Sequence, residues 1–535
     1  MSSFTDVNPT TPRTIGRRNV LAAGAVLGAA ATIGGTSTAA SAARVPTVRE
    51  EHPVVIIGSG FGGGVAALRF AQAGVPVLVL ERGRRWATGP NATTFPTLSS
   101  LDKRALWYGS ANQVLGKPLF VAPYVGLLEA VIGKNMTAMC AAGVGGGSLV
   151  YQGMTLQPNE ELFNHCLPEE LDYARMAAVH YPRVAQMLKL QTAPDELVNS
   201  PTYKPARVFA QHVQREGFDL EKIPMPIDWS WALRELKGEM KPSYTNGDSA
   251  LGVNNGGKHS VDVTYIKQAE DTGRARVLTQ HNVIDIVRAK DGRWVVHVDR
   301  TDDRGTILEK KILTTKTLVM AAGSINTTKL LVRSVGRGHI PRIDGLGTNW
   351  GTNGDRIYLW TSLAEDFGAI QGGPVVYGSK DWSRPETANT IIQASIPGLG
   401  INARSTMMVG FGISQARGSF AYDWLTDEAK LTWPKNGDAQ LFEAIAARAK
   451  RIAAPMGSLA DTNALVPSTW HPLGGVAMGT SADLAGRVHD LPGLYVLDGA
   501  LIPGSTAACN PSMTIAAVAE RAMDEILTKD LARIA

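Results

Sequence analysis

Apolar and polar positions along this chain fall into runs that predict regular elements. Val54 to Ile57 is a four-residue apolar run, the length of a short buried strand. Phe61 to Ala73 carries apolar residues at helical spacing until Gly74 stops it, and Val77 to Leu80 is a second apolar run. Strand, helix and strand within about thirty residues predict a βαβ unit. Farther on, Val277 to Val287, Trp294 to Val298 and Thr317 to Met320 read as an alternating meander followed by a buried strand that ends in Ala321-Ala322-Gly323. Leu494 to Leu497 reads as a strand, and Asn510-Pro511 opens a helix running through Leu527, with Pro511 in the first turn, where its missing N–H costs nothing. Val261 to Ile266 and Met407 to Ile413 are strand candidates, and Leu441 to Ile452 is a predicted helix.

The first forty-odd residues do not belong to this pattern. Arg17-Arg18 precedes an apolar stretch from Val20 to about Ile33, and small residues ending in Ala40-Ser41-Ala42 follow. That stretch is too short to span a bilayer, which takes about 20 residues. Residues 1–42 therefore read as a twin-arginine export signal, with an ordinary secretory leader or an anchor as the alternative. A net charge of +5 over 535 residues is mild and gives no reason to expect a nucleic-acid partner. Cys140, Cys166 and Cys509 have no metal-ligand spacing and read as structural thiols, so no metal is expected. Nothing in the sequence sets the oligomeric state, and a monomer is favoured.

Glycine is the compositional outlier, at 56 of 535 residues against a usual share of about 7 %. Its positions bear on chemistry. Gly58-x-Gly60-x-x-Gly63 lies at the predicted strand-to-helix turn, where such glycines permit the turn, the approach of a pyrophosphate and close helix–strand packing. Glu81 stands at the end of the second strand, placed for an adenosine ribose; its charge argues against NADP and leaves FAD and NAD open. A second cluster, Gly143-Val144-Gly145-Gly146-Gly147, leads into Tyr151-Gln152-Gly153-Met154; alone it is as consistent with a mere turn as with a ligand loop. Near the C-terminus, Trp470-His471-Pro472-Leu473-Gly474-Gly475 precedes Asp498-Gly499 and Asn510-Pro511-Ser512. Asp498, after a strand, can hold a ribityl hydroxyl. An imidazole such as His471 can accept or relay a proton near neutral pH, and Asn510 offers both a donor and an acceptor.

Taken together, the fingerprint at 54–83, the Gly143 loop, Ala322-Gly323-Ser324-Ile325-Asn326, His471-Pro-Leu-Gly-Gly and Asn510-Pro resemble the glucose-methanol-choline (GMC) family of FAD oxidoreductases, most of all its non-covalent bacterial cholesterol oxidase branch. The likeness runs from about residue 50 to 530 and includes Asp102-Lys103-Arg104, Thr264-Tyr265, Asn353-Gly354 and Arg417-Gly418. It implies an α/β fold, with a Rossmann-like FAD domain assembled from about 50–85, 134–160, 250–345 and 465–535. The lid or insertion would be 86–133, and 161–249 with 346–464 would form an antiparallel-sheet substrate domain. It implies non-covalent FAD at Gly58, Gly60, Phe61, Gly62, Gly63, Glu81, Gly143, Gly147, Tyr151, Gln152, Met154, Val283, Asp498, Gly499 and Ser512. His471 and Asn510, 39 residues apart, would face the substrate hydroxyl while the flavin takes the hydride and O2 reoxidises it to give H2O2.

The branch also has a glutamate that moves the steroid double bond from Δ5 to Δ4. Counting without gaps puts that catalytic position at Gln393, whose amide cannot take a proton from carbon; Ile391 and Tyr151 depart from the pattern as well, and there is one extra residue between Gly499 and Asn510. The expected substrate is a 3β-hydroxysteroid or another apolar alcohol. The alternatives are a dehydrogenase of the same fold with a different acceptor, or a flavin-binding sensor. Apolar residues in 86–133 read equally as a lid that touches a lipid surface and as a buried satellite core.

Overall fold

The computed structural model describes residues 45–114, 117–396, 402–464 and 467–534, so the leader at 1–42 and Leu115 fall outside the described residues. The larger sheet holds β1 (Thr47–Ile57), β2 (Val77–Leu80), β3 (Ala275–Leu278), β4 (His281–Arg288), β5 (Trp294–Thr301) and β6 (Ile307–Met320), in the order β3-β2-β1-β6-β5-β4. The short strand Leu494–Val496 also pairs with β6. Strands β3, β2, β1, β6 and 494–496 run parallel, while β6, β5 and β4 form the expected antiparallel meander. β1 begins seven residues before its apolar core, because Thr47 to His52 pair along the long β6 without being buried between helices.

Register decides where ligands can sit. Ile57 lies opposite Leu80 and Met320, and Met320 lies opposite Val496, so four strands end at one edge. The chain leaves that edge at Gly58, Glu81, Ala321 and Leu497, and α1 (Phe61–Gln72) and α2 (Gly323–Gly336) start there. In open α/β sheets, ligands bind outside the carboxyl ends of the strands.

Residues 261–266 correct the sequence expectation. Asp262–Ile266 is a helical turn that continues into a helix at Lys267–Asp271, with the Ile266 N–H donating to the Val261 carbonyl at 2.9 Å. Val261 and Tyr265 are buried against α1 while Val263 is 50 % exposed, a pattern no strand could give, since alternate strand residues share a face. Short apolar runs carry too few positions to separate the two periods.

The second sheet is antiparallel throughout. It contains β7 (Arg356–Ser362), β8 (Tyr377–Asp381), β9 (Asn389–Ala394), β10 (Ser405–Gly412) and β11 (Gly457–Asp461), ordered β11-β7-β10-β9-β8, with Glu221–Lys222 at the far edge. One face packs under the helix Lys204–Arg215 and α3 (Ala439–Ala453), burying Phe209, Tyr358, Trp360, Ile391, Met408 and Ile445. The opposite face presents Ile392 and Phe411 to Met154 and Cys509. Within 86–133, Trp86 stacks on Phe95 at 5.3 Å, and Leu106, Leu127 and Leu128 complete a satellite core against which Leu98, Leu101, Leu119 and Val121 pack; Phe120 stands exposed.

Candidate active site

A cleft of about 430 Å³ opens at the shared edge of the larger sheet, lined by Gly58, Gly60, Phe61, Gly62, Glu81, Gly147, Val283, Asp498 and Gly499 among others. Nine of the residues expected from sequence thus meet in one cavity. Gly58 has φ +98, a left-handed conformation that favours glycine, and a Cβ on Gly63 would stand 2.1 Å from the Gly58 carbonyl oxygen. Gly63 accordingly packs the helix onto the turn and does not line the cleft.

The Glu81 carboxylate accepts hydrogen bonds from Ser59 Oγ at 2.6 Å, from Gly83 N–H at 2.8 Å and from Gly143 N–H at 3.2 Å. It therefore ties the first glycine turn to the second while still lining the cavity. The turn-only reading of the Gly143 loop is thereby set aside, since Gly146 and Gly147 border the same cleft. Asp498 accepts from Gly323 N–H at 2.8 Å and Thr327 Oγ1 at 2.6 Å, and burial pushes its carboxyl up to about 6.

Tyr151, Gln152, Met154 and Ser512 sit outside the cavity lining. Tyr151 meets the ring of Phe61 edge-on at 5.6 Å, Gln152 Oε1 accepts from Ser249 at 3.3 Å, and Ser512 Oγ donates to the Met154 carbonyl at 3.2 Å. Behind this loop lies Lys258, which sequence reasoning missed. Its Nζ donates to the carbonyls of Leu149 and Tyr151 at 3.0 and 2.6 Å, and burial pulls the ammonium down to about 7.

His471 and Asn510 come together as expected. Asn510 Nδ2 donates to His471 Nε2 at 3.3 Å, and Asn510 Oδ1 is buried with no hydrogen-bond partner among the described residues. The rings of His471 and Phe411 stand nearly perpendicular, their centroids 6.1 Å apart. A third residue completes the group: Asp355 Oδ1 accepts from His471 Nδ1 at 2.6 Å. Asp355 directly follows Asn353-Gly354, so its position was in view, but nothing in the spacing paired it with a histidine 116 residues away.

Gln393 is not brought to this group. In the β9–β10 register Thr390 opposes Phe411, Ile392 opposes Val409 and Gln393 opposes Met408. Phe411 faces His471, so Thr390 and Ile392 share that face, whereas Gln393 faces Met408 and donates to Thr406 Oγ1 at 3.0 Å. Side chains alternate along a strand, and a one-residue slip moves a residue to the opposite face. Gapless counting thus put a catalytic role on a residue of the far face, while Thr390 and Ile392 lie on the face shared with Phe411.

Parallel strands ending at a glycine-lined cleft, backed by an antiparallel sheet and a histidine–asparagine pair, define a two-sheet nucleotide-binding oxidoreductase of α/β type. The chain belongs to the GMC oxidoreductase family: family models of that description match residues 120–351 and 414–519. It is 28 % identical to a cholesterol oxidase of Mycobacterium tuberculosis over 561 residues, covering 89 % of this chain and 91 % of that one. With a cholesterol oxidase of Acinetobacter baumannii the identity is 25 %, over 90 % and 95 % of the two chains. A 2-methyl-1,2-propanediol dehydrogenase of Mycolicibacterium austroafricanum is 23 % identical over 90 % and 96 %. Among solved structures, pyridoxine 4-oxidase from Mesorbium loti superposes with a TM-score of 0.62 at 13 % identity, covering 88 % of this chain and 98 % of that one. A fungal aryl-alcohol oxidase does so with a TM-score of 0.61 at 13 % identity, over 90 % and 100 %. These two show the fold.

FAD is the cofactor that this family typically binds. The residues present fit it: the cleft is walled by backbone at Gly58, Gly60 and Gly147, and Arg82, which also lines it, has a buried Nη2 without a hydrogen-bond partner among the described residues.

Proposed function

We propose that this chain is a secreted, FAD-dependent oxidase that converts the 3β-hydroxyl of a sterol-like apolar alcohol to a ketone, with O2 as electron acceptor and H2O2 as co-product. The observation that carries the reading is the His471–Asn510 pair, 3.3 Å apart, beside a sheet face formed by Thr390, Ile392 and Phe411. Those side chains suit a hydrocarbon body better than a sugar. The two relatives named cholesterol oxidase support the same substrate class.

In this mechanism His471 Nε2 takes the hydroxyl proton as the substrate carbon loses its hydride, and Asn510 holds the substrate oxygen. FAD, held non-covalently in the glycine-lined cleft, supplies the hydride acceptor when bound. Isomerisation of the Δ5 ketone needs a base on the histidine's side of β9. Thr390, Ile392 and Phe411 on that face carry none, so the native product is the Δ5-3-ketone.

Export by the twin-arginine-type leader, entry of substrate from a lipid surface past the 86–133 segment, and a monomeric state belong to the same reading. A dehydrogenase with another acceptor is the second reading, favoured by the propanediol dehydrogenase relative. Purified protein given a 3β-hydroxysteroid should bleach its flavin absorbance without air and yield about one peroxide per ketone in air. Bleaching with no peroxide would select the dehydrogenase. No bleaching with any sterol would remove the substrate class.

A further inference from the structure

We infer that Asp355 is a positioning residue that fixes His471 in the tautomer able to accept a proton at Nε2, an inference that rests on the role just proposed for His471. One oxygen of Asp355 is fully engaged: Oδ2 accepts from Thr469 Oγ1 at 2.8 Å, from Trp470 N–H at 2.8 Å and from His471 N–H at 3.2 Å. The carboxylate is thereby locked with Oδ1 aimed at His471 Nδ1, 2.6 Å away. A carboxylate oxygen can only accept, so Nδ1 carries the hydrogen, and in the neutral ring Nε2 then presents its lone pair. Asn510 Nδ2, donating to Nε2, is the arrangement this tautomer requires.

The side chain of Asp355 is only 4 % exposed, and among the described residues His471 is its one ion-pair partner within 4.0 Å. When Nε2 takes the proton of the substrate hydroxyl, the O–H bond breaks and the ring becomes positive. The negative charge of Asp355 then lies directly against it, and Asp355 itself takes no proton. The same three backbone and hydroxyl donors tie the histidine loop, whose Trp470 and Pro472 line the larger sheet's cleft, to the start of β7 in the second sheet.

The test is Asp355→Asn, with Asp355→Glu as the conservative variant and His471→Gln to assign the ring signals. An asparagine that keeps its oxygen toward the three donors turns its amide N–H onto Nδ1. The ring must then carry its hydrogen on Nε2, where it accepts nothing. ¹⁵N spectra of histidine-labelled protein should show Nδ1 protonated and Nε2 bare in the wild type, and the reverse in Asp355→Asn. Flavin reduction in Asp355→Asn should slow by about 10²- to 10⁴-fold, KM should change less than threefold, and Asp355→Glu should recover part of the rate.

Nε2 protonated in the wild-type spectrum would overturn the inference, even if Asp355→Asn failed to fold. So would an unchanged tautomer in Asp355→Asn with reduction within threefold of wild type. The spectra need no substrate, so failure of the sterol reading leaves this result separately readable.

Discussion

Two substitutions one residue apart on β9 test how the site is built. Gln393 is 3 % exposed, faces the α3 side of the second sheet and donates to Thr406 Oγ1 at 3.0 Å. Thr406 Oγ1 in turn donates to Gln371 Oε1 at 3.0 Å, so its hydrogen is committed. In Gln393→Glu the new carboxylate would meet a hydroxyl lone pair and the apolar side chains of Tyr358, Trp360 and Met408. The loss of one hydrogen bond costs about 1 kcal/mol, and an unpaired buried charge raises the total to about 3–5 kcal/mol. Ile392→Glu places its carboxylate on the face shared with Phe411 and so with His471. It also loses a buried apolar side chain, at about 2–5 kcal/mol.

The assay supplies a Δ5-3-ketosteroid directly and follows the absorbance of the conjugated Δ4 product, with urea unfolding in parallel. Gln393→Glu should unfold at markedly lower urea and isomerise no faster than wild type. Ile392→Glu should gain isomerisation under conditions where it remains folded. Rapid isomerisation by Gln393→Glu with an unchanged unfolding midpoint would refute the face assignment and restore the gapless count.

His471→Gln should lower the rate of flavin reduction by about 10²-fold or more while FAD stays bound; an unchanged rate would remove His471 from the mechanism. Glu520, fully buried, accepts from Arg69 Nε and Nη2 at 2.7 and 2.6 Å, from Arg183 Nη1 at 3.1 Å and from Tyr265 at 3.0 Å. Glu520→Ala strands those donors, so chemical denaturation should show a loss of about 3–5 kcal/mol; a loss below about 1 kcal/mol would mean that water replaces the carboxylate without penalty. His180 is 1 % exposed, neither ring nitrogen is hydrogen-bonded among the described residues, and burial pulls its pKa down to about 4 from 6.5. The unfolded chain therefore takes up a proton that the folded chain refuses. The stability His180 contributes is complete above pH 6.5 and is lost as the pH falls through about 4. His180→Leu should lose less melting temperature than wild type between pH 7 and pH 4.5, and parallel losses would show that His180 titrates freely when folded.

What could be read from the sequence was what one contiguous stretch contains. The βαβ unit from Val54 to Glu81 carries its own strand, turn, helix and acid within thirty residues, and each lies where its spacing predicted. His471 and Asn510 were also legible, because each sits in a local motif of unusual composition even though the pair meets only in the fold. The four misjudged or missed features share a different origin. Val261 to Ile266 offered six positions, too few to distinguish the two periods, and the segment packs as a helical turn with Val261 and Tyr265 against Gly64 of α1. Gln393 depended on register, where one residue in a loop of uncounted length reverses a side chain. Asp355 and Lys258 depended on contacts between segments more than a hundred residues apart in sequence, His471 in one case and the Leu149–Tyr151 loop in the other. Neither leaves a local trace, because a buried carboxylate or ammonium is paired by whatever the tertiary fold brings to it, and its neighbours in sequence need not show it. The cofactor cleft was therefore readable from its glycines, while the residues that orient and charge the reacting groups had to be found in space.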